Sequence, residues 1–242
     1  LPDADEFSSS WRKSLGVEEP SRPKSLSLLK EFRPLDFEHR TRHSDVFWNY
    51  LYDRGYNKAQ AAWAASSYNL HYAIAGQYAY RIVIPIESAQ GKLMTWTARS
   101  VDPKADVRYL TLKKDYAVEP PGNLILGLPL LHRAAPTKCL TICEGPFDAI
   151  AVSTLGHAHG IWGACLFGLE LSAHQADLLS ELEGRFEQMR LLLDPDASLR
   201  TLNLRSRLPR RCRVARLPSG YKDPGQLIER KEGRDIVMAL AA

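Results

Sequence analysis

Five carboxylates stand where they could hold a hard cation and steer phosphate chemistry: Glu144, Asp148, Asp194, Asp196 and Asp223. Glu144 ends the apolar run "CLTIC" and is followed at once by Gly145 and Pro146. Asp194 and Asp196 close "QMRLLLDPD", and Asp223 follows "CRVARLP" through "SGYKDPG". Divalent cations such as Mg²⁺ want several oxygen ligands, and Mg²⁺ usually takes one or two carboxylates with water and phosphate. Asp194 and Asp196 are two residues apart, which puts both on one side of an extended segment. Pro195 fixes the backbone between them. Asp148 falls in the first turn of the helix expected after Glu144, where the helix dipole favours negative charge. Taken singly, each has an ordinary reading as a solvated strand end, a turn residue or a helix-start charge. Their order along the chain argues for one shared site.

The elements that must position these acids begin at Lys138. Apolar strands alternate with helical stretches: "CLTICE", "PFDAIAVSTLG", "IWGACLFG", "SAHQADLLSELEGRF", "QMRLLLD", "ASLRTLNLRSRL", "CRVARLP". That rhythm predicts an α/β fold, a parallel central sheet with helices on both faces. Ligands of such sheets bind beyond the carboxyl ends of the strands, and three of those ends carry the acids. Residues 138–242 are therefore expected as the catalytic domain, preceded by a smaller mixed α+β subdomain over 35–137. Residues 1–34, rich in Ser, Pro and charge, read as a linker. In the subdomain, Ser44 or Asp45 is placed to cap a first helix that ends at Gly55, and Asn57 to cap a second. A hairpin follows around Gln90-Gly91. "VRYLTLKK" reads as a further strand, and order resumes at "NLILGLPLL".

The hairpin region is basic. Arg81, Lys92, Arg99, Lys104, Arg108, Lys113 and Lys114 crowd it, with Trp96 and Tyr109 among them. Cations interleaved with aromatics suit phosphates and stacked bases. The alternative is a solvated hairpin face with its aromatics in the core, and the acids downstream favour binding. A second basic run, "RSRLPRRCRVAR", reads as a solvated helix end, with contact to a partner domain as the lesser alternative.

With 242 residues and 45% apolar content, the chain can build one large domain or two small ones. A net charge of +4 says little by itself about nucleic acid. No apolar run reaches transmembrane length, and "LPDADEFSSSWRKSL" has no apolar signal core. The absence of an initiator Met is expected of a piece of something longer. Cys139, Cys143, Cys165 and Cys212 form no CxxC pair and no zinc spacing, so no structural zinc is expected. Three of them lie within apolar runs and read as small core residues of a reduced, intracellular protein, expected to be cytoplasmic.

Taken in order, "EGPFDAIA", "ACLFGLELSAHQADLL", "LLLDPDA" and "LPSGYKDPGQL" resemble the Toprim domain of DnaG-type bacterial and phage primases. Upstream, "YLYDRGYNKAQAAW", "RIVIPIESAQGKLMTWTARSVD", "VRYLTLKK" and "LILGLPLL" are similar to the stretches that precede it in primases. The resemblance implies an enzyme dependent on Mg²⁺ or Mn²⁺ that makes short RNA primers on single-stranded DNA from nucleoside triphosphates. A replicative helicase, in the same chain or separate, is a further expected partner. Carried over by position, Glu144 is the catalytic acid, and Glu144, Asp148, Asp194, Asp196 and Asp223 are the metal-binding acids. Arg54, Arg99, Arg108, Tyr109, Lys113, Lys114 and Lys222 are the expected nucleic-acid or nucleotide contacts. Two positions depart from the pattern: Leu199 stands where the family carries Gly, and Gly225 where it carries an acid. Two other readings stay open at this point. One is a Toprim metal-dependent nuclease, and the other is a non-catalytic DNA-binding module of a primase-helicase.

Overall fold

In the computed structural model, residues 22–135, 137–168, 170–195 and 204–242 are described. Alternating β-branched residues around a tight turn build the first sheet. β3 (Arg81–Glu87) and β4 (Leu93–Ser100) form the expected hairpin, with Gly91 at φ +79 in its turn. β1 (Arg33–Pro34), β2 (His71–Ala73) and β5 (Tyr109–Thr111) complete an antiparallel sheet in the order β1-β2-β3-β4-β5. Period-two alternation sorts the side chains. Ile82, Ile84 and Ile86 face helices α1 (Asp45–Asp53) and α2 (Lys58–Ser67). Val83, Trp96 and Ala98 face the other way, against Phe32 and Tyr78.

That outer face explains a difference from the sequence reading. The segment expected as linker up to residue 34 is packed from Leu26 onward. Leu26, Leu28 and Leu29 lie on the outer cluster, Phe32 is buried edge-on against Trp96 and Tyr78, and Arg33–Pro34 pairs with His71 and Tyr72. A Ser/Pro-rich composition hid three leucines and a phenylalanine that cover an otherwise exposed apolar sheet. Trp96, considered as a base-stacking residue, is only 1% exposed and belongs to this core.

The helix ends divide in the same way. Asn57 caps α2 as expected, in a reciprocal box with Gln60. Ser44 precedes α1 but makes no side-chain cap. Its hydroxyl donates to the Thr41 carbonyl and accepts the Thr41 N–H instead. Gly55 ends α1 at φ +90, with the Gly55 and Tyr56 N–H groups returning to the Tyr52 and Leu51 carbonyls, the Schellman arrangement. A Cβ at Gly55 would also lie 2.5 Å from Glu229 Cα and 2.7 Å from Ile228 O. Gly55→Ala should therefore destabilise the protein by about 1–3 kcal/mol, measured by urea unfolding. A midpoint equal to the parent's would contradict the close approach.

The second sheet is wholly parallel. β6 (Cys139–Cys143), β7 (Ile161–Cys165), β8 (Gln188–Leu192) and β9 (Cys212–Ala215) pair in the order β7-β6-β8-β9. The short helix α3 (Leu128–Arg133) leads into it. Helices α4 (Pro146–Gly156) and α6 (Gly233–Ala239) cover one face, and α5 (Ala173–Glu183) covers the other. The stretch expected as a helix before β9 is described only from 204, where 204–207 are helical. All four cysteines are buried and free, as small core residues. One apolar core runs from the isoleucines of the first sheet through α1 and α2 to Phe147, Ile150 and Val152 of α4. Among the described residues, no helix is long and apolar enough to cross a membrane.

Candidate active site

Parallel pairing levels the carboxyl ends of the strands, with Cys143 of β6 opposite Cys165 of β7. Glu144 is the next residue, and its backbone is locked at the corner. The Cys165 thiol donates to the Glu144 carbonyl at 3.0 Å and accepts the Phe167 N–H at 3.1 Å. Phe167 itself sits at φ +60, a conformation an aromatic residue rarely adopts and one that clusters at functional sites.

Asp148 lies on the first turn of α4, as expected. One of its oxygens accepts the Gly145 N–H at 3.1 Å, and the other accepts the Gly225 N–H at 3.0 Å. It thus ties the start of α4 to the loop that carries Asp223. The Asp223 carboxylate accepts the Gln226 N–H at 3.0 Å. Burial, with Asp223 and Asp194 nearby, pushes the Asp148 carboxyl up to about 7. Asp194 follows β8 on the same rim, and Asp196 lies outside the described residues.

This raised value sets a pH dependence. The folded state holds a proton on Asp148 between the ordinary carboxylate value near 3.9 and about 7, whereas the unfolded chain has released it. The stabilisation is complete below about 4 and is lost as pH rises to about 7. Without divalent cations, the melting temperature should therefore fall across that window by more in the parent than in Asp148→Asn. Parallel profiles in the two proteins would contradict the assignment.

The donor chemistry suits a hard cation. Glu144, Asp194 and Asp223 are oxygen donors at the ends of successive segments, on a rim where like charge already raises a neighbour. Among the described residues they are not drawn into a closed cluster of three or more metal-holding groups. Asp148 uses both oxygens on backbone N–H groups, so its place in the structure is that of a brace between loops. At Gly225, where an acid was the expected residue type, a larger residue would have to displace neighbouring side chains. A Cβ there would lie 2.9 Å from Asp148 Oδ1, 3.0 Å from Asp223 Oδ1 and 2.9 Å from Arg54 Nη2.

The basic residues separate into three groups. Arg54 and Arg99 face inward beside the acids. The Arg54 guanidinium lies over the Phe147 ring at 5.1 Å and the Tyr50 ring at 5.8 Å. Arg99 lies over its cross-strand neighbour Tyr109 at 4.9 Å. The Nε atoms of both are buried without a hydrogen-bond partner. Burial pushes the Tyr109 phenol well above its ordinary value, while Arg99 pulls it down. Arg108, Lys104, Lys113, Lys114 and Lys222 are exposed. Arg81 and Lys92 hold the chain: Arg81 donates to the Ala98, Val107 and Arg108 carbonyls, and Lys92 to the Lys24 carbonyl.

Sequence reasoning missed Tyr50, Phe147, Phe167 and Cys165 around the site. Tyr50 and Arg54 are four apart on one helix face, a spacing that was readable. Phe147 and the Cys165 bridge depend on long-range packing and carried no local signal.

No family model matches the chain, and no curated protein matches it by sequence. Solved structures do. The DnaG primase catalytic domain bound to ssDNA aligns with a TM-score of 0.65 at 16% identity, over 85% of this chain and 73% of that one. The RNA polymerase domain of Mycobacterium tuberculosis primase DnaG aligns with 0.65 at 15%, over 84% and 77%. The primase fragment of the bacteriophage T7 primase-helicase protein aligns with 0.60 at 17%, over 94% and 84%. Since each alignment takes in more of the chain than either sheet alone could supply, the parallel sheet with its acid rim and the antiparallel sheet packed beside it together make the fold of a DnaG-type primase catalytic core.

Proposed function

We propose that this chain is a primase core, catalysing template-directed transfer of nucleotides to make short RNA primers on single-stranded DNA. The observation that carries the reading is the pairing of an acid rim with two inward-facing arginines, Arg54 at the end of α1 and Arg99 on β4 of the antiparallel sheet. A phosphoryl-transfer site needs both signs of charge, because it must hold polyphosphate and activate a hydroxyl. Arg54 and Arg99 each have a buried guanidinium nitrogen left unpaired. Their guanidinium groups would take phosphate oxygens of the incoming triphosphate and its pyrophosphate product. Tyr109 holds the Arg99 guanidinium by its ring face.

Glu144, Asp194, Asp223 and Asp196 are the residues that would hold Mg²⁺ or Mn²⁺. Such an ion, when bound, neutralises triphosphate charge and lowers the pKa of the attacking 3′-hydroxyl. Glu144 takes the proton from that hydroxyl or ligates the ion. Cys165 and Asp148 fix the backbone corner from which the Glu144 carboxylate projects. The exposed Arg108, Lys113 and Lys114 lead the template strand toward the rim. A helicase is the fitting partner for such a core, as in the T7 protein whose primase fragment it resembles.

Incubation with single-stranded DNA, nucleoside triphosphates and Mg²⁺ or Mn²⁺, followed by a product gel, tests the reading. Primer synthesis supports it. Degradation of the strand would identify a nuclease using the same acids, and absence of both would identify a non-catalytic binding module.

A further inference from the structure

The second basic run is exposed and borders a surface concavity. Arg210, Arg211 and Arg213 join Arg190 of the neighbouring strand, with Glu187 and Gln188, around a concavity of about 480 Å³. It lies at the amino end of β8, roughly 20 Å along the chain from Asp194 at the acid rim. Arg190 and Arg213 are register partners in β8 and β9, and like charges directly opposite in a sheet are destabilising. Neither forms an ion pair among the described residues, nor do Arg210 and Arg211. The cluster is held in shape: Arg190 donates to the Gln188 side chain and to the Met189 carbonyl, and Arg205 donates to the Arg210 carbonyl. From Leu204 to Lys222 the chain carries six arginines and no carboxylate.

Charge on an edge strand commonly serves to block edge-to-edge pairing, and β9 is such an edge. That role needs outward charges on β9 alone. It does not account for Arg190, which belongs to the inner strand β8 and faces the same concavity. We propose that this pocket is a second anion site, which binds the phosphate backbone of a nucleic-acid strand away from the acid rim. Guanidinium forks match phosphate oxygens bidentately. The walls carry no aromatic or large aliphatic side chain. Bases would therefore find nothing to stack on, and a protein partner would lack the apolar anchor that gives interfaces most of their energy. Binding is thus to backbone phosphate and indifferent to sequence. The inference stands apart from the chemistry at Glu144, because it concerns binding only.

The test uses the whole chain with Arg211→Gln and Arg213→Gln together, both exposed positions. Fluorescence anisotropy of a labelled mixed-sequence DNA strand is followed across a salt series. The slope of log affinity against log salt should flatten by about 1.4 for two lost phosphate contacts. Arg211→Lys with Arg213→Lys should restore most of it. A control pair, Lys30→Gln with Lys58→Gln, should leave the slope unchanged. An unchanged slope in the arginine variant, or an equal loss in the control pair, would overturn the site. A labelled poly-glutamate peptide of equal charge should bind the parent more weakly than the DNA strand. Tighter peptide binding, lost in the same arginine variant, would assign the pocket to an acidic protein and overturn the phosphate reading. Primer synthesis measured on the same variant is a separate readout, so failure here and failure of the primase reading are distinguishable.

Discussion

Primer synthesis should fall by at least about 10²–10⁴-fold in Glu144→Gln, with melting temperature unchanged. The substitution keeps shape and removes only the charge. Glu144 is half-buried at the end of β6, and the corner is held through its backbone, by Cys165 to its carbonyl and by Asp148 to the adjacent Gly145 N–H. The side chain is therefore not needed to form the turn. Whether it accepts a proton or binds the cation, a neutral amide does neither job well. Gel assays on purified parent and variant decide the matter, with unfolding curves run beside them. Full synthesis by a folded Glu144→Gln protein would remove Glu144 from the chemistry.

A large structural effect is expected at Gly163, in the middle of β7. A Cβ there would lie 2.1 Å from Ala149 O and 2.7 Å from Ala149 Cα, so helix α4 rests directly on the bare strand. The obstructing atoms are backbone and cannot rotate away. The same contact is fastened by the Gly163 N–H, which donates to Ser153 Oγ at 2.7 Å, and by Tyr68, whose hydroxyl donates to that oxygen at 2.8 Å. Overpacking usually costs about 1–3 kcal/mol, occasionally more. Gly163→Ala belongs at or above the top of that range, since α4 must move as a body. The movement would carry the Glu144 corner with it, so synthesis should decline along with stability. Urea unfolding measures the first effect, and parent-like stability would contradict the close packing of strand and helix.

Much of this architecture could be read locally. Strand–helix alternation predicted the parallel sheet, with Glu144 and Asp194 following its strands β6 and β8, while Asp223 lies on a loop well past β9. Asn57 with Gln60, and the Gln90-Gly91 turn, were visible because capping boxes and hairpin turns are written within a few residues. The box of Ser172 and Gln175 was equally readable. The further role of Gln175 was not: its amide donates to the Leu124 and Leu166 carbonyls, joining three separate segments. What failed was long-range in origin. Residues 26–34 are a covering for the outer sheet face only because Trp96 and Tyr78 lie there to be covered. Ser44 looked like a cap and was captured by Thr41. Gly225 looked like a lost ligand, but the space beside it is filled by Arg54, Asp148 and Asp223. Among the basic residues, composition could not separate Arg81, bound to three carbonyls, from Arg99, stacked on Tyr109 beside the acids.

Template direction is the core of the functional account, and nucleotide choice measures it most directly. A single-stranded DNA lacking adenine would be incubated with the chain, divalent cation and the four triphosphates, one labelled at a time. The account predicts that labelled GTP, CTP or ATP enters product according to the bases present, that UTP does not, and that Glu144→Gln incorporates none of them. Incorporation of UTP at the same level as the others, or incorporation that persists in Glu144→Gln, would contradict it.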